Sequence, residues 1–278
     1  MLTTTRQARP TIHAAESALG RVQRRELSVV IITQNERALI ERAVIGCRSI
    51  ADEIVVVDGG STDGTAERAR ELGCVVFENP WPGYARQRTF GVSSAAHDWV
   101  FLLDTDEIPD AELSNEIRSW KYDDSTDDAL AIARTGSFFD RWLPDRKPHV
   151  RLYRRDRISM KNVPVHEAPD VDVKTTRVLA GTLLHYGFRS TSDHVRRFNH
   201  YTDLEAEKSF AAGARFSAVR MALMPIVRFG LTYFVRGGAR RGVPGLMASM
   251  MWAMYAFLHE VKLYELYWKA AGSPRNDP

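Results

Sequence analysis

The sequence is poor in cysteine: Cys47 and Cys74 are its only two. That excludes a disulfide framework, and their spacing fits neither a zinc site nor a redox pair, so both are read as small apolar core residues. The Gly-rich dinucleotide fingerprint is also missing. Where the first strand should turn into a helix stands Thr33-Gln34-Asn35-Glu36, and no G-x-x-x-x-G-K-[ST] phosphate loop occurs anywhere. Two large nucleotide-binding classes drop out. Residues 1–26 hold Arg, Thr, Ala and Gln without an apolar h-region, so they read as a mobile tail and not a secretory signal. The uncharged stretch Val243 to Leu258 has sixteen residues, short of the roughly 20 that span hydrocarbon as a helix.

What is present suits a globular protein: 44% apolar and 26% charged residues in 278, enough for one sizeable domain with an appendage or two small domains. The net charge of +3 is unevenly distributed. Residues 215–278 carry nine basic and three acidic side chains, whereas the rest of the chain is slightly acidic. No acid falls between Glu207 and Glu260, a gap that holds Arg215, Arg220, Arg228, Arg236, Arg240 and Arg241 among apolar runs. Such a segment suits an anionic membrane surface, with Val243 to Leu258 either lying in the interface or packing as a buried helix on the preceding domain. Nucleic acid is a poorer partner, because groove-reading polar side chains are lacking beside the arginines.

From Leu27 the pattern alternates. LSVVIIT, EIVVVD (Glu53 to Asp58), CVVF (Cys74 to Phe77) and WVFLLD (Trp99 to Asp104) read as buried parallel strands. Helices are expected between them: one through Leu39 to Cys47, one capped by Ser61 and ending at Gly73, and one over Tyr84 to Ala96. This is an α/β fold with an open, Rossmann-like, mostly parallel sheet, whose ligands sit at the C-terminal strand ends. Beyond Asp110 the strands ALAIA (Ala129 to Ala133), VRLYR (Val150 to Arg154) and VLAGTLLHY (Val178 to Tyr186) extend the sheet in mixed fashion. Helices are expected from about Asp193 to Phe216, Met221 to Phe234 and Pro244 to Trp268.

The strand ends carry acids: Asn35 and Glu36, then Asp58, then Asp104-Thr105-Asp106-Glu107. In a parallel sheet they share one edge. Asp58 before Gly-Gly-Ser is also good turn chemistry. Asp104 and Asp106, two apart, face one side if the backbone stays extended, and oxygen ligands there suit Mg²⁺ or Mn²⁺ with positions left for substrate phosphates.

The segments SVVIITQNE, EIVVVDGGSTDGT, GYARQRTFGVSSAAHDWVFLLDTDE, VRLYRR and PVHEAP, in this order, resemble glycosyltransferase family 2, which has the GT-A fold. Within it they are most similar to the glucosyltransferases of lipopolysaccharide core assembly and their relatives. The resemblance spans Leu27 to Arg189. It implies a GT-A catalytic domain over 27–190 and a helical, membrane-associating region over 191–278. It implies that Asn35, Glu36 and Asp58 surround the donor nucleoside, and that Arg86 and Gln87 stand at donor contacts. Asp104-Thr105-Asp106 becomes the D-x-D motif, with Asp104 toward the ribose or a metal-bound water and Asp106 on a divalent cation. Glu167 in PVHEAP is the candidate base, with Asp145 in reserve. His166 and His185 are each open as third metal ligand or phosphate contact, and Arg151 and Arg154 as contacts to diphosphate or an anionic acceptor. The implied activity is inverting, metal-dependent transfer of a sugar from a nucleotide-sugar donor to a lipid-linked saccharide at the cytoplasmic face of the inner membrane. The alternatives are transfer to polyprenyl phosphate and a non-catalytic membrane-surface scaffold.

Overall fold

The structure is a computed structural model that describes residues 24–139, 141–157, 175–188 and 190–272; the expected N-terminal tail lies almost wholly outside them. Strands β1 (Leu27–Thr33), β2 (Glu53–Asp58), β3 (Val75–Glu78) and β4 (Trp99–Asp104) form a parallel block in the order β3-β2-β1-β4. Every residue of β1 is buried, as a strand covered on both faces requires. Helix α1 (Arg37–Cys47) buries Ile40, Ala43, Val44 and Cys47 in the core that contains Val29 and Ile31. Helix α3 (Tyr84–Ser94) covers the other face. There Gly91 permits close approach, since a Cβ on it would stand 2.5 Å from Val30 Cγ1. Burial pushes the Cys47 thiol up to about 12, in keeping with a core residue.

Helix α2 (Thr65–Glu71) begins later than the sequence suggests. Ser61 does not cap it, because its hydroxyl is taken by Asp58 and Asn35. Instead Asp63 accepts a hydrogen bond from the Thr65 amide at 3.1 Å, and Gly64 supplies the left-handed turn at φ 84°.

Two elements escape the sequence pattern, β5 (Glu107–Pro109) and α4 (Ala111–Trp120). Asp110 caps α4 by accepting from the Leu113 amide at 2.7 Å, and Leu113, Ile117 and Trp120 drive its inner face into the core. The sheet then continues through β6 (Ala129–Phe138), β7 (Arg141–Arg154) and β8 (Thr176–His185) in the order β4-β7-β6-β8-β5. Strand β7 is antiparallel to β4 and β6, β8 is parallel to β6, and β5 is antiparallel to β8. The mixed extension is as expected. Strands β6 and β7 are longer than the five-residue runs ALAIA and VRLYR read from sequence.

Helices α5 (Thr191–Ala211), α6 (Ala218–Gly230) and α7 (Gly242–Ala270) complete the described chain. Helix α6 continues through a π-helical turn at Leu231–Val235 and packs on α7 as a hairpin, with α5 alongside α7. Phe198 of α5 packs on Trp252 and Tyr255. Helix α7 turns its small residues inward: a Cβ on Gly245 would stand 2.0 Å from the Gly238 carbonyl oxygen. The stretch Val243 to Leu258 is therefore partly packed against its own hairpin. The apolar surface lies more fully on the preceding helix. No residue of α6 is buried, and Val219, Ile226 and Phe234 are 67 to 69% exposed. Ala218–Val235, with mean hydropathy 1.4, is the one helical segment among the described residues long and apolar enough to cross a membrane.

Candidate active site

The loops after β1 and β2 are laced together by side chains. Asp58, 2% exposed, accepts from the amides of Gly60 at 3.0 Å and Ser61 at 2.7 Å, and the Ser61 hydroxyl donates to its other oxygen. Asn35 lies in the left-handed region at φ 55°, a conformation that asparagine tolerates. Its Oδ1 accepts from the Thr62 amide at 2.9 Å while its own amide donates to Ser61 Oγ at 2.8 Å. The Glu36 amide donates to Thr65 Oγ1. Asn35, Glu36 and Asp58 thus meet at one strand-end rim, with Asp58 also serving as the turn anchor its sequence context suggests.

The second half of the rim is built on the turn from β4 to β5. Thr105 pins it by donating its hydroxyl to the Ile32 carbonyl at 2.9 Å. Asp104 Oδ1 accepts from Arg88 Nη2 at 2.7 Å, and Arg151 Nη1 stands 3.7 Å from Oδ2. Burial opposes the Asp104 charge, but the two guanidiniums outweigh it and hold the carboxyl well below the usual range. The β5–β8 ladder pairs Glu107 with His185, and the Tyr186 amide donates to the Asp106 carbonyl at 2.7 Å. This register brings His185 Nε2 to 3.2 Å from Asp106 Oδ2. Burial again opposes ionisation of Asp106, and the contact with His185, helped by Arg197, overcomes it and lowers its pKa. Gly136 and Gly187 make room for the His185 ring: a Cβ on Gly187 would stand 2.3 Å from its Cε1.

Among the described residues no group of three His, Cys, Asp or Glu side chains gathers to hold a metal. Asp106 and His185, a carboxylate and an imidazole in contact at 3.2 Å, are of donor types that a divalent cation accepts, and they would be the residues to hold one here, with substrate phosphates and water supplying the rest.

Some expected contacts fall elsewhere. Arg154 is held by both oxygens of Asp156 at 3.0 and 2.8 Å and pairs with Trp99 at the start of β4. Because β7 runs against β4, Arg154 stands five residues from Asp104 along that strand, roughly 17 Å. There it lines a separate cavity of about 600 Å³ with Arg24, Trp99 and Asp128. Gln87 is fully buried, exchanging hydrogen bonds with Asn79 at 2.8 and 3.2 Å. It latches α3 to the end of β3, and Arg86 beside it is exposed. Arg88, one residue on, makes the contact to Asp104, and sequence reasoning passed over it. Glu107 was passed over as a site residue too: it is fully buried, 2.8 Å from Arg151 Nη2. Its signal was visible as the last letter of DTDE. Glu167, His166 and the side chain of Asp145 lie outside the described residues.

Helix α5 closes one side of this rim. Arg197 donates to the Gly187 carbonyl and pairs with Asp193 at 2.8 Å, and burial, helped by the neighbouring Tyr201, raises the pKa of Tyr84.

The comparisons agree with this architecture. Residues 28–170 match the model of "Glycosyl transferase family 2". A protein of Rickettsia typhi named as an uncharacterized glycosyltransferase, RT0209, is 33% identical over 88% of this chain and 89% of its own. The lipopolysaccharide core biosynthesis glycosyltransferase LpsC of Rhizobium meliloti is 30% identical over 86% and 92%. Among solved structures, the mannosyltransferase PcManGT of Pyrobaculum calidifontis superposes with a TM-score of 0.52 at 15% identity, covering 87% of each chain; at that identity it bears on the fold alone. With its half-parallel, half-mixed sheet and acidic strand-end rim, the chain belongs to glycosyl transferase family 2 and is a glycosyltransferase of GT-A fold.

Proposed function

We propose that the protein transfers a sugar, with inversion, from a nucleotide-sugar donor to a hydroxyl of a lipid-linked saccharide in cell-envelope glycan assembly, with UDP-glucose as the favoured donor. The observation that carries this reading is the meeting of Asp104, Asp106, His185 and Arg151 at the C-terminal end of β4. Support comes from a relative: LpsC is named for lipopolysaccharide core biosynthesis.

In this reading Asn35, Glu36 and Asp58 border the nucleoside and Arg151 meets the diphosphate. Asp106 and His185 hold a divalent cation, Mn²⁺ or Mg²⁺, which supplies charge neutralisation to the departing diphosphate. Asp104 is already doubly engaged by arginine, which suits it to orient ribose or water more than to bind the ion directly. Residues 27–190 form the catalytic domain, and residues 191–278 seat it on the cytoplasmic face of the inner membrane.

A donor panel with Mn²⁺ and with Mg²⁺, read by thermal shift and donor hydrolysis, tests the assignment. Stabilisation by one sugar nucleotide only in the presence of the ion is expected; indifference to every nucleotide speaks against it. Glu167→Gln is expected to lower the transfer rate by about 10²-fold or more, the usual worth of a positioned base. Unchanged kinetics in that variant would favour transfer to polyprenyl phosphate, an acceptor already ionised.

The exposed face of α6 carries the membrane part of the proposal, because Val219, Leu223, Ile226 and Val227 are all exposed beside Arg220 and Arg228. Glu at Ile226 and Val227 together is expected to weaken partition into vesicles containing anionic lipid by at least about tenfold, since each loses the burial of one aliphatic side chain. Sedimentation with vesicles checks it, and equal partition of variant and parent would move the contact to another surface.

A further inference from the structure

Glu107 raises a question that the proposed chemistry leaves open. It is fully buried, and burying a carboxylate is costly unless close partners compensate. Its partners are specific. Oε2 accepts from the Asp104 amide at 3.1 Å. Oε1 accepts from Arg151 Nη2 at 2.8 Å, with Arg134 Nη1 at 3.5 Å. Its backbone pairs with His185 across the β5–β8 ladder. One side chain therefore touches the backbone of one rim acid and the guanidinium that faces the same acid.

The unequal grip of the two arginines on Asp104 shows what this accomplishes. Arg88 is within hydrogen-bond distance at 2.7 Å. Arg151 stops at 3.7 Å, beyond hydrogen-bond range, because its Nη2 is held by Glu107. Among the described residues these two carboxylates are the partners of Arg151. A guanidinium has five N–H donors in a fixed fork, so Arg151 keeps donors for a ligand while its plane is fixed. With no charge at position 107, the nearest remaining carboxylate is Asp104, and Arg151 would close onto it.

We infer that Glu107 is a positioning residue that holds Arg151 short of Asp104, so that the guanidinium is presented to the diphosphate of the sugar-nucleotide donor. The inference rests on the donor reading given above and adds the residue that aims its phosphate contact.

Calorimetric titration of the full chain with UDP and with uridine, both in the presence of Mn²⁺, tests it. If the donor panel selects another base, its diphosphate and nucleoside replace them. Glu107→Gln is expected to weaken UDP about tenfold, the scale of one charge-assisted contact, and to leave uridine within about twofold. Arg151→Gln should produce the same selective loss, and the double variant should be no weaker than either single one. If Glu107→Gln binds UDP as the parent does, or loses UDP and uridine equally while circular dichroism stays native, the role is wrong. Should Glu107→Gln fail to fold, Arg151→Gln decides: undiminished UDP affinity there also overturns the inference. A parent protein that binds no nucleoside diphosphate removes the donor reading itself, a result distinct from a parent that binds and a variant that is unaffected.

Discussion

Replacing Asp106 with alanine is expected to reduce sugar transfer by on the order of 10³-fold, the scale seen when a group that stabilises transition-state charge is removed. Contact with His185 lowers the pKa of Asp106 in a largely buried setting, and the ladder between β5 and β8 places that ring. In the proposed site, alanine would remove the oxygen and leave His185 as a lone ligand. Initial rates with the donor selected by the panel, measured across a range of Mn²⁺ concentrations, check the effect. Transfer within tenfold of the parent at saturating metal would dismiss Asp106 as a metal ligand. The thermal midpoint in metal-free buffer serves as the folding control.

A loss of about 3–5 kcal/mol of stability is expected for Trp120→Ala, the usual range for emptying a buried indole site. Trp120 is 1% exposed and meets Trp99 edge to face with ring centroids 4.6 Å apart. The Arg25 guanidinium lies 5.0 Å from its ring. It ends α4, whose first turn is equally tight: a Cβ on Gly181 of β8 would stand 2.1 Å from the Leu113 amide nitrogen. That closeness limits how far α4 can settle into the void. Urea unfolding in detergent followed by far-UV circular dichroism gives the number. A change below about 1 kcal/mol would mean that the core is not organised around this helix.

The parallel block was legible because β1, β2 and β4 are covered on both faces and therefore spell continuous apolar runs. The segment after Asp104 was not. Strand β5 has three residues, too few to show a period, and the cap of α4 follows directly on the acids of the rim, which hides its start. On α3 the resemblance pointed to Arg86 and Gln87, but a step of one residue turns a helix by about 100°. Only the partner of Gln87, Asn79 on a different element, shows that Gln87 faces inward and Arg88 reaches the carboxylate. Arg154 was misplaced for a topological reason: nothing local reveals that β7 runs antiparallel to β4. Asp106 and His185 stand together beside Asp104 because ladder register, once formed, leaves those side chains little choice.

The cross-laced loops after β1 and β2 bear on how a donor would be captured. Asn35, Ser61, Thr62 and Asp58 already satisfy one another through backbone amides, so in the proposed reading the ordering of the nucleoside end is completed when the chain folds. Little conformational entropy is then left to lose on ligand capture. In the donor reading proposed above, discrimination among bases at that end becomes a matter of fit to a preformed contour.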